Sequence, residues 1–392
     1  MVKKTFTVLL FLMASVPFLL AENSISVDME LYNTVMKTRD SSEEPYWAYM
    51  MAGKAAVSFK STGNKNVRAD LAGDIIFPDS SGIPVFFIHK AYIKSKFPNF
   101  RLTLGKTRLG WGDGFVFNSG DVIFGSTSPY VNLTALEMRT DTAWLSSVNF
   151  PLGRFSFIEG LIIAPDITAS GMGKIQNCGA GLRLYTKVGK IKIEMGYYFD
   201  GTDKTYDITN TTTLETLDIN SLHRPYISLQ GNIGLDWYLN SSVAVPSNDN
   251  SIVESMVKDT FNISLGLFYM IELGYDNSLS FRLESVISPY LNWKEDTGKE
   301  GSCAMLIYPE ISLGLGSTIS LSLRSIVSPI DLSAQITSGL SWNVFEGFNL
   351  ISYATVNAGD GNDTFSWKKS AWTYGVDSID RISLMAGVKY IY

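Results

Sequence analysis

Residues 381–392 read Arg381-Ile-Ser-Leu-Met-Ala-Gly-Val-Lys-Tyr-Ile-Tyr392. One parity carries Ile382, Leu384, Ala386, Val388, Tyr390 and Tyr392. The other carries Arg381, Ser383, Gly387 and Lys389, with Met385 and Ile391 as exceptions. One face is continuously apolar and ends in aromatic rings; the opposite face is polar or small. Lipid outside and water inside select such a strand. A soluble sheet edge shows the same alternation once, but in this chain it recurs.

Working back from that strand, the same alternation is clean at seven more places. Val67, Ala69 and Leu71 oppose Arg68, Asp70 and Ala72. Leu102 and Leu104 oppose Arg101 and Thr103. Ile191 to Tyr198, Phe261 to Met270, Leu279 to Glu284, Ile319 to Arg324 and, more weakly, Phe348 to Ile351 follow the same rule. A Lys or Arg on the lipid face at mid-membrane costs ~2–4 kcal/mol. Arg68, Arg101, Lys192, Arg282 and Arg324 all fall on the polar parity.

Two classes of connection alternate between these segments. Short ones include Pro98-Asn99, Pro151-Leu152-Gly153, Val188-Gly189, Tyr275-Asp276-Asn277, Gly316-Ser317 and Glu346-Gly347. Long polar ones include 34–46, 110–138, 165–175, 200–222, 246–258, 290–302 and 358–370. Tight turns at one end and longer loops at the other are the pattern of an up-and-down membrane barrel. The expected fold is therefore all-β: one transmembrane antiparallel barrel of about 18 strands. The segments near 24–33, 84–96, 236–246 and 332–344 are its weakest strands, and merging two of them gives 16. Gly274, Ser280, Leu283, Ser285, Ser288 and Pro289 recur forty residues on as Gly314, Ser320, Leu323, Ser325, Ser328 and Pro329. That echo is read as shared hairpin grammar.

The N-terminus fits an exported protein. Lys3 and Lys4 precede an apolar run through Leu20, and Ala21 stands before Glu22. This pattern predicts a signal peptide over 1–21 and a barrel domain over 22–392. The expected location is the outer membrane of a Gram-negative-type envelope. Partners would be membrane lipid, small-molecule solutes and the barrel-assembly machinery, reached through the C-terminal strand ending in Tyr392. The oligomeric state is left open.

Composition narrows the function. Charged residues are 18% and mean hydropathy is +0.09, as suits strands with one residue in two facing lipid. A net charge of -6 argues against a nucleic-acid partner, which calls for a basic footprint. His89 and His223 are the only histidines, and Cys178 and Cys303 the only cysteines, so no His-based metal cluster or cofactor is expected. Cys178 shares the parity of Ala180, Leu182 and Leu184 and reads as a small lipid-facing residue. No G-x-S-x-G or Walker A pattern is present, so an enzyme is not expected.

Residues 105–122 stand apart: Gly-Lys-Thr-Arg-Leu-Gly-Trp-Gly-Asp-Gly-Phe-Val-Phe-Asn-Ser-Gly-Asp-Val. Glycines at 110, 112, 114 and 120 break a strand, while Trp111, Phe115 and Phe117 want burial. A loop this long is usually functional. The expectation is that 110–138 is an inserted pore loop folded against the inner wall. Gly105, Lys106, Arg108, Trp111, Gly112, Gly114, Phe117, Asn118, Asp121 and Val122 resemble a run found in outer-membrane barrels of the alginate-export and related porin-like type. The resemblance covers about 18 residues of the chain. It implies an outer-membrane solute channel.

Candidate pore-lining residues are Arg68, Asp70, Arg101, Arg108, Trp111, Phe117, Asn118, Asp121, Arg183, Lys192, Glu194, Arg282, Glu284 and Arg324, with no catalytic or metal-ligating residue among them. The mixed signs, joined by Asp74 and Glu272, depart from the arginine-rich lumen that alginate wants. The reading is a porin or substrate channel passing small hydrophilic solutes by passive diffusion. One alternative is a fatty-acid-carrier-like transporter using Phe115, Val116, Phe117, Phe268 and Met270. The other is a non-transporting adhesin or structural barrel acting through polar loops such as the Thr-rich 200–222.

Overall fold

A computed structural model describes residues 23–39, 45–78, 84–135, 137–165, 174–201, 204–210, 213–219, 221–247, 257–258, 260–290, 304–359, 363–365 and 382–391. The expected signal peptide, Cys303, Arg381 and Tyr392 lie outside them. In order, the strands are β1 (Asn23–Arg39), β2 (Pro45–Asn64), β3 (Val67–Pro78), β4 (Val85–Lys96), β5 (Arg101–Thr107), β6 (Ala143–Pro151), β7 (Phe157–Ile163), β8 (Gly179–Val188) and β9 (Ile191–Asp200). A hairpin, β10 (Lys204–Asn210) and β11 (Thr213–Ile219), follows. Then come β12 (Leu222–Asn232), β13 (Asp236–Ser242), the two-residue β14 (Val245–Pro246), β15 (Asn262–Gly274), β16 (Asn277–Ser288) and β17 (Ala304–Leu315). The last are β18 (Ile319–Ser328), β19 (Ser333–Phe345), β20 (Phe348–Ala358) and β21 (Ile382–Ile391).

Setting aside β10, β11 and β14, each strand pairs antiparallel with the next, and β21 pairs back onto β1, with Lys389 opposite Glu30. The wall is a closed barrel of 18 strands. Closure removes the open edge, the only way a sheet can satisfy its backbone in hydrocarbon. The four weakest segments all form strands, so no merging to 16 occurs. The polar stretch 34–46 is corrected: β1 runs to Arg39 and β2 starts at Pro45. The interval 200–222 carries the β10–β11 hairpin rather than a plain loop.

The register fixes which parity faces in. Glu284 pairs with Gly266 and Tyr308, and Arg282 pairs with Phe268 and Glu310. These rows face the lumen, leaving Leu279, Phe281 and Leu283 outside. Leu321, Leu323, Leu340 and Leu384 are likewise exposed on the outer wall. Outward aromatics gather at the two ends, with Trp47, Tyr49, Phe86 and Trp144 near the loops and Phe150, Trp342 and Tyr390 near the turns. Rings at these levels anchor a barrel at the two membrane interfaces. Tyr275 and Asp276 adopt positive φ in the β15–β16 turn, and Gly189, Gly316 and Gly347 do so in three others.

Candidate functional site: a long loop packed on the inner wall

The connection from β5 to β6 turns inward and packs on the inner wall. Gly112 (φ 65°) and Gly114 (φ 137°) supply backbone conformations that side chains resist. Gly181 of β8 lies under Trp111, where an added Cβ would come within 2.6 Å of the indole. Two apolar clusters hold the loop. Leu109, Trp111 and Val122 pack with Leu145, Leu161, Ile163, Tyr198 and Tyr226 from β6, β7, β9 and β12. Val116, Phe117 and Leu133 pack with Val286, Leu306, Tyr308 and Ile326 from β16 to β18, joined by Phe365. Trp111 and Phe117 are completely buried.

An irregular backbone at this depth needs partners for its N–H and C=O groups, and the wall's charged residues provide them. Glu284 accepts from the amides of Phe115 (2.7 Å), Val116 (2.7 Å) and Phe117 (3.0 Å). Glu194 accepts from Gly112 N at 2.8 Å. In the opposite sense, Arg324 donates to the carbonyls of Leu133 (3.0 Å) and Ala135 (2.8 Å). Arg183 donates to Gly110 O at 2.9 Å and Arg224 to Val122 O at 3.1 Å. Asn118 Nδ2 donates to Trp111 O inside the loop, and the Trp111 indole N–H donates to Glu159.

The wall charges also pair among themselves. Arg183 bridges Glu159 and Glu194; Arg282 bridges Glu284 and Glu310; Arg324 meets Glu310 at 2.9 Å. Arg108 and Asp121 pair within the loop. Burial pushes the Asp121 carboxyl above the usual range, against the lowering pull of Arg108 and Ser126.

The predicted residues thus divide into two groups. Arg183, Glu194, Arg282, Glu284 and Arg324 point inward and are engaged with the loop or each other. Glu284 has no exposed surface at all. Trp111, Phe117, Asn118 and Asp121 are buried loop residues. Packing or ion pairing takes up the reach of these nine, and Arg108 joins them through Asp121. Arg68, Arg101 and Lys192 are exposed on the inner face. Asp70 is half-buried and accepts from Tyr92 OH.

Among the described residues, the loop's contacts with the wall fall on β6 to β18. The inner face of β2 to β5 takes no such contact, and although Asp74, Thr103 and Thr107 on it are buried, Lys60, Arg68, Lys94, Lys96 and Arg101 are exposed; sequence reasoning missed most of its cations. The register places Lys54, Lys60, Arg68, Lys90, Lys94, Lys96 and Arg101 there against Asp70 and Asp74, so seven cations less two carboxylates leaves a net +5. Lys54 and His89 pair with Asp74 at 2.6 and 2.7 Å. Lys60, Arg68, Lys90, Lys94, Lys96 and Arg101 carry no ion pair among the described residues, although Lys94 lies over the Tyr92 ring. The apolar set offered for a hydrophobic carrier does not form an open site. Val116 and Phe117 are sealed in their cluster, and Arg282 covers the rings of Phe115 (4.3 Å) and Phe268 (4.7 Å). His223 lies on the outer wall against Tyr197 and Ser247.

With this geometry, the chain superimposes on OccAB1 of Acinetobacter baumannii with a TM-score of 0.54 at 9% identity, covering 95% of this chain and 96% of that one. OccK11 (OpdR) of Pseudomonas aeruginosa gives 0.53 at 10% identity over 94% and 96%. OccK8 (OprE) of the same organism gives 0.51 at 11% identity over 95% and 98%. The fold is shared with these proteins. No family model and no curated protein matches the sequence, and the alginate-export resemblance is not among the similarities found.

Proposed function

We propose that this protein is an outer-membrane channel that passes small hydrophilic solutes by passive diffusion, with a preference for anions. One observation carries the reading: the pore loop fills one side of the closed barrel and leaves the unpaired cations of β2 to β5 facing the remaining lumen. A barrel of this strand number is wide enough for an aqueous path. Cations on a low-dielectric wall raise the local concentration of anions. Arg68, Arg101 and Lys192 from the sequence reading, with Lys60, Lys90, Lys94 and Lys96, would touch the solute.

The fold of the Occ and Opd outer-membrane porins supports the same reading. So do the apolar outer wall and its two aromatic belts. The alginate-export likeness of 105–122 adds a channel but no polymer. Its Trp111, Asn118 and Asp121 are spent on folding the loop. Assembly would proceed through the C-terminal strand, as for other barrels of this kind. No chemical step is part of the function.

Purified protein in a planar bilayer tests this. Discrete channels with a reversal potential favouring anions in a salt gradient are expected. Absence of conductance, or cation selectivity, would overturn it.

A further inference from the structure

We infer that Glu284 is the positioning residue of the pore loop: one wall carboxylate gathers three successive loop amides and fixes how far the loop stands into the bore. Successive backbone N–H groups converging on one point form a concavity that attracts an anion. Here the anion is supplied by the barrel. Glu284 rises between Gly266 and Tyr308 in the register. The missing side chain at Gly266 leaves room for the Tyr238 ring, where an added Cβ would sit 2.1 Å from Cε1. Tyr238 OH then donates to Phe117 O at 2.8 Å. Phe117 therefore has its N–H held from β16 and its C=O from β13, on either side of β15, while its ring enters the cluster of β16 to β18.

No other wall side chain among the described residues takes more than one loop amide. Glu194 takes Gly112 N and Ser264 takes Ser119 N. Arg282 closes the arrangement by meeting Glu284 at 3.3 Å and stacking on Phe115. A glutamine at 284 keeps the shape but replaces one of the two accepting oxygens with an NH2 donor, so Phe115 N on one oxygen, or Val116 N and Phe117 N on the other, lose their acceptor. Buried donors left without an acceptor are costly, so the loop segment should lift. The outward face of β16 is untouched, and the barrel should persist.

The inference rests on the channel reading only for its conductance, so the decisive readout is separate. In a Cys178→Ser, Cys303→Ser background, Val116→Cys places a thiol at a residue that is 3% exposed. Labelling by a water-soluble maleimide is compared in folded, heat-modifiable barrels with and without Glu284→Gln. Glu272→Gln, an exposed inward carboxylate on neighbouring β15, serves as the control. We expect Glu284→Gln to speed labelling about tenfold or more, on the order of one lost charged hydrogen bond, and Glu272→Gln to leave it unchanged. Unchanged labelling in Glu284→Gln, or an equal rise in Glu272→Gln, overturns the assignment. Should Glu284→Gln fail to reach the heat-modifiable form, Val116→Pro removes one of the same bonds from the loop side, read from Phe117→Cys. Faster labelling there supports the clamp and unchanged labelling overturns it. If wild type does not conduct, the channel reading falls while the labelling result stands.

Discussion

The inner wall has two halves that use charge for different ends. Under the loop, β7 to β18 present Arg183, Arg224, Arg282 and Arg324 against Glu159, Glu194, Asp200, Glu284 and Glu310. In this set four cations less five carboxylates is a net -1, every one of them is paired, and five of the nine also bind loop backbone, while Lys192 and Glu272 on the same strands stay exposed. Across the lumen, β2 to β5 carry a net +5, mostly unpaired. Burying charge is costly unless it is paired and hydrogen-bonded, and the covered half meets both conditions. The open half stays hydrated and needs neither. Inward charge in this barrel is therefore of two kinds: one holds irregular backbone in place, the other faces the open lumen.

Removing the loop should break this difference most completely. Deletion of 110–122 takes away Trp111, Val116, Phe117 and the amides bound by Glu194 and Glu284. Single-channel conductance should rise, and anion preference should fall as the covered carboxylates reach the lumen. A deletion channel with wild-type conductance and selectivity would mean that the loop does not set the bore.

The next effect is on stability. Arg324→Leu leaves the carbonyls of Leu133 and Ala135 without their donor and leaves Glu310 with Arg282 as its one remaining cation. Breaking one side of a buried pair costs ~3–5 kcal/mol. Arg68→Leu, on the open half, should stay within about 0.5 kcal/mol. Unfolding midpoints in detergent compare them directly, and equal losses would erase the distinction between the two walls.

Selectivity should respond in the opposite order. Arg68→Gln, Lys90→Gln and Lys94→Gln should each lower the anion-to-cation permeability ratio, cumulatively and more strongly at low salt. Arg183→Gln, already neutralised by two carboxylates, should change the ratio less. Reversal potentials across a salt gradient measure this. A larger shift from Arg183→Gln would place the selective groups under the loop.

The same division explains what could be read from sequence. Where one face meets lipid and the other meets water, period two is enforced, and Ile191–Tyr198 or Leu279–Glu284 announce themselves. Where the loop packs on the wall, the inner face is apolar too, so Leu145, Leu161 and Ile163 blur β6 and β7. Two-sided apolarity beside an aromatic-rich loop was the signal for that contact. The pairing of Arg282 and Arg324 with Glu310 depends on strands brought together only by the register. The Lys90, Tyr92, Lys94, Lys96 row was legible in principle by its spacing. The bulge that sets His89 apart between Gly73 and Ala72 partners broke the pattern just before it.

The smallest effect sharpens the comparison at the rim. Asp331, between β18 and β19, accepts from Thr364 N and Oγ1 (2.6 Å each) and from Ser333 Oγ (2.7 Å). Ser333 Oγ in turn accepts from Phe365 N, and Phe365 caps the cluster that holds Val116 and Phe117. Burial alone would raise the Asp331 carboxyl, but donation from Thr364, Ser328 and Ser333 outweighs it and holds the group at about 2. A carboxylate depressed in the folded state contributes stability in full above its unfolded value of about 3.9, and that contribution is lost as pH falls through the folded value. Wild type should therefore melt above Asp331→Asn at pH 6, and the gap should close between about pH 4 and pH 2. Asp331 is 7% exposed, but its partners are neutral hydroxyl and amide donors rather than a charged pair, so the gap should be below that of Arg324→Leu. Thermal midpoints of both proteins across that pH range decide it. A gap that persists unchanged at pH 2 would show that packing of Phe365, not the charge on Asp331, secures the rim.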